Sequence, residues 1–516
     1  MTNLQTLSAY LQECRWCSFK KSIKNGQVYD IKLDMLPYDN NNKLFILGQA
    51  KLLDGSNIQF SMPMAKKIAV QQDQNNLVIN GAMYTDATLE PDFWQTFNKL
   101  IDDNNGEVKF PNGWTLKRIG IAKTEKIDEN LAKQSKPLGV EQSNTTLNIG
   151  QGSLAFKLER ILDFSDEINP EFEMNSKLMR EKSDFMPETY GGFVWENPEG
   201  HQASCGIVQE FVKNKGDMWG YSLGYIKGKL MTNYLRQIDL TEKNCPEFIE
   251  LVKKLERRVA DMGECLSRPD DDPKFTPEPV TASFMRTYKK NMTVQLHKTK
   301  RSISQHLNEL PEPTLSIACE LLNNWDELTN NYINKNLEKI IQSEDKGYIC
   351  RVHGDFHLGQ VMVTENDDLR FIDFAGEPAL PINQRKQKHI FVRDIAGMYR
   401  SITGYLGETA VTEFAAAAPS VEVAQERLNW GRKAIEPLMH KAGQEFLGEH
   451  KMSDPWLALE VLRKNIYEVD YEINHRPKES FISTTIKNLS DLLHKDTGGG
   501  GAFMGFGNDF DDASGL

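Results

Sequence analysis

Short apolar runs separated by polar clusters dominate the first 120 residues of the chain. Residues 1–18 have one apolar helical face, which predicts a short amphipathic helix. From residue 28 to residue 120, segments rich in Val, Ile, Leu and aromatic residues alternate with Asn, Asp and Gly clusters. This pattern predicts an antiparallel sheet in a small N-terminal domain. The polar, lysine-rich residues 121–136 are interpreted as a linker.

The next part of the chain changes from strands to a helix and back to strands. The pattern of residues 146–162 predicts two strands joined by a turn at Gly150–Gly152. A helix then begins with Asn169 as its cap and Pro170 at its first position. The runs GGFVWEN and ASCGIVQEFV predict two more strands.

The second half of the chain has mainly helical patterning. Helices are predicted from 216 to 345 and from 391 to 495, with brief strands at GYICRVHG and LRFIDFAG. These patterns predict an N-terminal cap domain over 1–125, a mixed sheet over 126–215, and a helical part over 216–496. The Gly-rich, acidic tail over 497–516 is expected to be disordered.

Composition narrows the class of protein. The 516 residues carry a formal net charge of −12, which disfavours non-specific binding to nucleic acid. No apolar stretch is long enough to span a membrane, and the N-terminus does not resemble a signal peptide. We therefore expect a cytoplasmic protein without membrane contact. The seven Cys residues are widely spaced, so Cys14 and Cys17 are interpreted as ordinary thiols.

The segment His353-Gly-Asp-Phe-His-Leu-Gly-Gln360, with Ile372-Asp-Phe374 after it, contains residue types that phosphoryl transfer needs. Such a transfer requires a carboxylate that takes the proton of the acceptor hydroxyl, and metal ions that bridge the phosphates. Asp355 lies in a tight loop after a strand and fits the role of base. Gln360 and Asp373 offer the oxygen ligands that Mg²⁺ prefers.

Upstream residues provide candidate phosphate contacts. Lys157 lies on a predicted strand and Glu173 on the helix that follows. A strand lysine paired with a helix glutamate holds the phosphates of ATP in protein-kinase-like folds. Taken singly, either residue also fits a solvated surface position. The order of the whole set predicts a bilobal, protein-kinase-like α+β fold with a small β-rich cap and ATP between the lobes.

Two further segments are candidates for nucleotide binding. The polar segment 142–146 is predicted to form a loop over the phosphates, and the strand near residue 210 to bind adenine through its backbone. The candidate residues in these two segments are Ser143, Asn144, Gln209, Glu210 and Val212.

The motif around Asp355 resembles that of bacterial maltokinases, ATP-dependent sugar kinases similar to aminoglycoside phosphotransferases. The Leu-Gly-Gln form that ends at Gln360 is characteristic of the maltokinase branch. The resemblance runs from residue 10 to residue 482. Further segments that agree are Arg15-Trp16, Glu141-Gln-Ser-Asn-Thr145, Gln209-Glu-Phe-Val212, Arg393-Asp-Ile-Ala-Gly-Met398 and Tyr467-Glu-Val-Asp-Tyr-Glu472.

The resemblance implies ATP and Mg²⁺ as cofactors and maltose as the acceptor. The product would be maltose 1-phosphate for α-glucan and glycogen synthesis, with partner enzymes of trehalose and glucan metabolism. The implied acceptor contacts are His353, Glu377, Tyr467, Asp470, Tyr471 and Asn474. The last four share one helix face, which fits either a sugar or a packed core. Arg393 and Asp394 are expected to support the site from behind, Asp394 by hydrogen bonds to the catalytic loop or as a helix cap.

Two departures from the maltokinase pattern leave the acceptor open. Ala375 replaces a usual Glu, and Leu380 stands where Arg is frequent. Another sugar or amino sugar, such as glucosamine or an aminoglycoside, is therefore an alternative acceptor. A catalytically silent binding protein is the alternative of another class, although Lys157, Asp355 and Asp373 are all present.

Overall fold

The computed structural model describes residues 4–40, 42–67, 76–120, 133–139, 144–165, 168–377, 380–448, 450, 454–475 and 480–495. The chain forms two compact units. Unit 1 comprises Met1–Lys182, Met186–Lys213 and Pro378–Arg385, and unit 2 comprises Ser183–Phe185, Asn214–Glu377 and Lys386–Leu516. Unit 1 contains two large sheets and unit 2 is mainly helical, so the predicted α+β class is confirmed.

The first sheet of unit 1 is antiparallel, with the strand order β1-β2-β3-β5-β4. Its strands are β1 (Val28–Tyr38), β2 (Lys43–Leu52), β3 (Asn57–Lys67), β4 (Leu77–Ile79) and β5 (Ala82–Asp86). Two short helices, α1 (Leu4–Glu13) and α2 (Lys20–Lys24), precede it. The apolar face of α1 is buried in one core with this sheet, as its period predicts.

The second sheet of unit 1 has the order β6-β7-β12-β13-β10-β9-β8. Its strands are β6 (Glu107–Lys109), β7 (Thr115–Ile119), β8 (Ser135–Pro137), β9 (Asn144–Ile149), β10 (Leu154–Glu159), β12 (Thr189–Glu196) and β13 (Gln202–Glu210). The predicted boundary at residues 125 and 126 falls between strands of this one sheet. The last residues of the predicted linker belong to β8, which pairs with β9.

Local sequence signals explain the helices of unit 1. In α4 (Pro170–Arg180), the Asn169 side chain accepts the Glu171 N–H at 2.8 Å, and Pro170 occupies the first turn as predicted. α3 (Phe93–Asp103) buries an aromatic face, on which Phe97 packs edge-on against Phe193 with ring centroids 4.9 Å apart. The short strand β11 (Ile161–Leu162) pairs with β3, and α10 (Ile382–Arg385) also belongs to this unit.

Unit 2 consists mainly of helices. They are α5 (Met218–Tyr234), α6 (Pro246–Leu266), α7 (Ala282–His306), α8 (Thr314–Asn323), α9 (Trp325–Gln342), α11 (Val392–Arg400), α12 (Gly407–Ala416), α13 (Val421–Leu447), α14 (Pro455–His475) and α15 (Ser480–Lys495). A π-helical segment, Ser401–Leu406, joins α11 to α12. A buried ion pair between Arg400 and Glu468, 2.8 Å long, links α11 to α14.

Two small three-stranded sheets complete unit 2 and carry the chemical motifs. One contains β14 (Asn214–Asp217), β17 (Val361–Thr364) and β18 (Leu369–Phe371), and the other β15 (Glu278–Pro279), β16 (Tyr348–Cys350) and β19 (His389–Ile390). Among the described residues, no helix has the length and apolar character needed to cross a bilayer. The tail over 497–516 lies outside the described residues.

Candidate active site

The loop that carries Asp355 follows β16 and is held by one buried carboxylate. Asp394, in the first turn of α11, accepts the His353 N–H at 2.7 Å through Oδ2 and the Gly354 N–H at 2.9 Å through Oδ1. The anchoring contact predicted for Asp394 is therefore present. Gly354 has a φ of +86°, and a Cβ there would lie 3.2 Å from the Gly376 Cα. The backbone before Asp355 therefore requires glycine.

His353 has a structural place and not the predicted acceptor contact. Its side chain is fully buried, and Nε2 lies 3.0 Å from the Ile372 carbonyl oxygen. The imidazole also packs on Phe356 and Phe374, with ring centroids 5.0 and 4.7 Å away. A buried ring with these neighbours joins the catalytic loop to the segment before Asp373.

Gln360 and Asp373 are brought together beside the β17–β18 hairpin. The Ile372 N–H donates to the Gln360 carbonyl at 3.0 Å, and Gln360 Nε2 donates to Asp373 Oδ2 at 3.3 Å. The Gln360 amide oxygen and the Asp373 carboxylate are oxygen ligands of the kind that a hard cation takes. Mg²⁺ is commonly held by one or two carboxylates together with substrate phosphates and water, so this oxygen set fits it.

Backbone geometry and a neutral imidazole shape the same region. Asp373 adopts a φ of +65°, an uncommon conformation for a residue other than glycine. In the turn before Gln360, His357 Nδ1 accepts the Gly359 N–H at 3.1 Å. Burial lowers the pKa of His357, which keeps this nitrogen able to accept. Ser401 Oγ accepts the Leu358 N–H at 3.2 Å and fixes the turn from the other side.

Lys464 on α14 is a functional candidate that sequence reasoning missed. Its Nζ lies 3.7 Å from Asp355 Oδ1, and the two side chains are 16% and 22% exposed. The same ammonium lies 5.1 Å from the centroid of the Tyr467 ring. Lys464, Tyr467 and Tyr471 are spaced i, i+3 and i+7 on one helix, and this spacing was the available signal.

Tyr467, which lies beside this lysine, also contacts a carboxylate and a second tyrosine. The Tyr467 hydroxyl is hydrogen-bonded to Glu377, and burial, with the charges of Glu377 and Asp355, raises the Tyr467 pKa. Glu377 also lies 3.7 Å from Arg393, the residue expected to support the site. The Tyr467 and Tyr471 rings are stacked at 6.4 Å, and Tyr471 is 39% exposed. Tyr467 thus lies between Glu377 and Asp355, with Tyr471 stacked on its ring. Sugar contacts from these side chains stay a prediction.

Asp470 and Asn474 contact side chains of α7, which corrects the predicted single sugar-binding face. Asp470 accepts the Ser302 hydroxyl at 2.7 Å and pairs with Lys298 at 2.7 Å, both on α7. Asn474 Nδ2 donates to the Asp470 carbonyl at 2.6 Å and to Ser302 Oγ at 3.2 Å. Residues three apart on a helix differ by about 60° in direction, so Tyr467 and Asp470 can face different neighbours. The polar pair packs α14 on α7.

In unit 1, Lys157 forms an ion pair with Glu171, whereas the predicted pair was with Glu173. Lys157 Nζ lies 3.0 Å from Glu171 Oε2, and the two side chains are 15% and 2% exposed. Glu171 and Glu173 are two residues apart on α4, which separates their directions by about 200°. Glu171 is buried and Glu173 is half-buried, in agreement with this difference in direction.

The predicted phosphate loop is partly a strand. β8 and β9 form a hairpin, and the residues from Asn144 to Thr146 already belong to β9. Asn144 itself pairs with Glu159 of β10. Ser143 lies outside the described residues.

The predicted adenine-binding segment coincides with the end of β13. Gln209 Nε2 donates to Thr189 Oγ1 at 3.3 Å, so this side chain is used within the sheet. The Glu210 N–H donates to the Glu188 carbonyl at 2.7 Å, and Val212 lies in the non-strand segment 211–213. Adenine contacts from this segment stay a prediction.

Solved structures of other proteins share this fold. No family model matches the chain. A glucosamine kinase in complex with glucosamine, ADP and inorganic phosphate is similar, with a TM-score of 0.53, 16% identity, and coverage of 90% of this chain and 94% of that chain. Another crystal form of glucosamine kinase aligns at a TM-score of 0.51 and 15% identity over 96% of this chain and 99% of that chain. The chain has the kinase-like α+β fold of these structures.

Proposed function

We propose that the protein is an ATP-dependent phosphotransferase that acts on a hydroxyl group of a sugar. The observation that carries the proposal is the loop of Asp355, which Asp394 anchors by two backbone hydrogen bonds and against which Lys464 lies at 3.7 Å. A carboxylate held in this way is suited to accept the proton of an acceptor hydroxyl. The fold shared with glucosamine kinase structures supports the reaction class.

The candidate groups of the two units have different proposed roles. In unit 2, Gln360 and Asp373 would hold Mg²⁺, which neutralises charge on the transferring phosphoryl group. In unit 1, Lys157 would bind the ATP phosphates, and Glu171 orients its ammonium by the ion pair of 3.0 Å. Asn144, at the start of β9, and Ser143 would cover the phosphates. The end of β13, with Gln209, Glu210 and Val212, would contact adenine.

The charges beside Asp355 favour a neutral sugar over an amino sugar. Asp355 already has the ammonium of Lys464 beside it, and Glu377 has the guanidinium of Arg393 beside it. An acceptor ammonium would have to compete with these cations for the same carboxylates. The rings of Tyr467 and Tyr471 offer apolar faces for a sugar ring. We therefore propose maltose as the acceptor and maltose 1-phosphate as the product, a donor for α-glucan synthesis.

Glucosamine is the second candidate acceptor, because the similar glucosamine kinase structure contains glucosamine. A silent binding protein is disfavoured, since Lys157, Asp355 and Asp373 retain the chemistry of transfer. The maltose and glucosamine assignments can be distinguished, because the first predicts a preference for neutral acceptors and the second a preference for cationic ones.

The test is ATP consumption with maltose, glucose, glucosamine, trehalose and kanamycin, each compared with Asp355→Asn protein. We expect turnover with maltose and a loss of about 10²–10⁴-fold in the variant, because the general base is removed. Faster turnover with glucosamine than with any neutral sugar would contradict the acceptor assignment. Equal rates for wild type and variant would contradict the assignment of Asp355.

A further inference from the structure

Unit 1 contains a cavity of about 310 Å³, and apart from Asn144 its lining has no role in the proposed reaction. It lies where the end of α1, the turn after β5 and the β8–β9 hairpin meet. Arg15 and Leu138 form part of an exposed rim, whereas Trp16, Thr88 and Arg160 form a buried floor. Pockets for small molecules typically enclose about 300–1,000 Å³, so this one can hold a small metabolite.

The floor is built around the fully buried guanidinium of Arg160. Its Nη2 donates to Asp86 at 2.7 Å and to Thr88 Oγ1 at 3.1 Å, and its Nε donates to Thr145 Oγ1 at 2.9 Å. The guanidinium also lies 5.6 Å from the centroid of the Trp16 ring. Within the described part of the chain, Nη1 has no hydrogen-bond partner. A buried donor in this state favours an acceptor atom from a bound molecule or a water.

The charges of the lining balance. The acids Glu13 and Asp86 face the bases Arg15 and Arg160, which leaves no formal net charge. Burial raises the pKa of the Cys14 thiol to about 12, so this side chain is neutral as well. A lining without net charge does not select a phosphate or an amine.

The remaining polar groups and one ring face match a molecule with several hydroxyls. The Asn144 amide and the Thr145 hydroxyl provide a donor and an acceptor each. The Thr88 hydroxyl already donates to Asp86 Oδ1 at 2.6 Å, so Thr88 and Asp86 add acceptor capacity alone. Trp16 adds an aromatic surface, which suits the apolar face of a sugar ring. We propose that this cavity binds a neutral mono- or disaccharide, at a site made only of residues of unit 1.

Occupancy of the cavity would also act on the nucleotide. Residues 137–139 and 144–145 belong to the lining, and residues 144–145 are part of the segment 142–146 that is predicted to cover the phosphates. A ligand that contacts residues 144–145 changes ATP affinity if these residues cover the phosphates, and ATP then changes saccharide affinity by the same factor. This consequence, unlike the binding itself, rests on the proposed function.

The test is hydrogen–deuterium exchange of the full chain with maltose and with glucose as probes. We expect protection of residues 10–16 and 137–145, separately from any protection of α14. Arg15→Glu should raise about tenfold the sugar concentration needed to protect residues 10–16 and 137–145, the equivalent of about 1.4 kcal/mol. The reason is that the rim loses a hydrogen-bond donor and the lining gains net negative charge. Lys21→Glu is the matched control, since it makes the same charge change on an exposed residue outside the lining.

Three results would overturn the site: no protection of these segments by either sugar, protection by inorganic phosphate alone, or equal weakening by Arg15→Glu and Lys21→Glu. Thr88→Val provides a floor variant of nearly the same shape, and its thermal unfolding shows whether lost binding reflects lost folding. Protection of the cavity segments in a protein that phosphorylates no sugar would leave this site standing and refute the proposed function.

Discussion

Replacing Glu171 by Gln tests the ion pair that the structure assigns to Lys157. The carboxylate and the ammonium are 3.0 Å apart, and their side chains are only 2% and 15% exposed. The amide keeps the shape of the side chain but removes its negative charge. Lys157 then loses its ion pair with this carboxylate.

The size of the effect follows from the burial of the pair. Hydrogen bonds to charged groups contribute about 1.5–3 kcal/mol when solvent is largely excluded. Each 1.4 kcal/mol corresponds to a factor of about ten in an equilibrium constant. If the misplaced ammonium weakens phosphate binding by this free energy, KM for ATP rises about 10- to 100-fold, while KM for the sugar changes little.

The assay is steady-state kinetics with ATP varied at saturating sugar, together with calorimetric titration of ADP. Glu173→Gln is the matched control, because it makes the same chemical change two residues further along α4. We expect this control to stay close to wild type in KM for ATP. A large rise in KM for Glu173→Gln with none for Glu171→Gln would refute the pairing as a determinant of ATP binding. Thermal unfolding of both variants shows whether a change in KM for ATP reflects weaker binding or a less stable protein.

Further predictions concern the acceptor pocket, the loop anchor and the metal. Tyr471→Ala should raise KM for the sugar without changing KM for ATP. Asp470→Ala should lower the melting temperature and leave KM for the sugar nearly unchanged. A raised KM for the sugar in Asp470→Ala, at an unchanged melting temperature, would restore the prediction that both residues line one sugar-binding face. Asp394→Ala should lower kcat more than either KM, because two backbone N–H groups lose their acceptor and Asp355 loses its position; unchanged kcat in a folded variant would contradict this. Thorough chelation with EDTA should abolish turnover and added Mg²⁺ should restore it, and full activity in EDTA would exclude the proposed oxygen site.

Several features of the protein followed from local sequence alone. The cap at Asn169 and the proline after it determine where α4 begins, because both act within one helical turn. Gln360 and Asp373 are brought together by the short β17–β18 hairpin, so their proximity is a property of one continuous segment. The Asp355 motif likewise needed no distant residue to be recognised. The maltose assignment and the Mg²⁺ site stay predictions.

Only the tertiary structure decided which side chains meet across different elements. Helical spacing placed Tyr467 and Asp470 together, yet packing on α7 turns Asp470 toward Ser302, because a buried carboxylate needs hydrogen-bond donors. Glu171 replaced Glu173 as the partner of Lys157 because the sheet determines which face of α4 is buried. Lys464 and Asp355 are far apart in the sequence, and no local pattern joins them. Their proximity arises only when α14 packs beside the catalytic loop, and packing of that kind depends on the whole helical core.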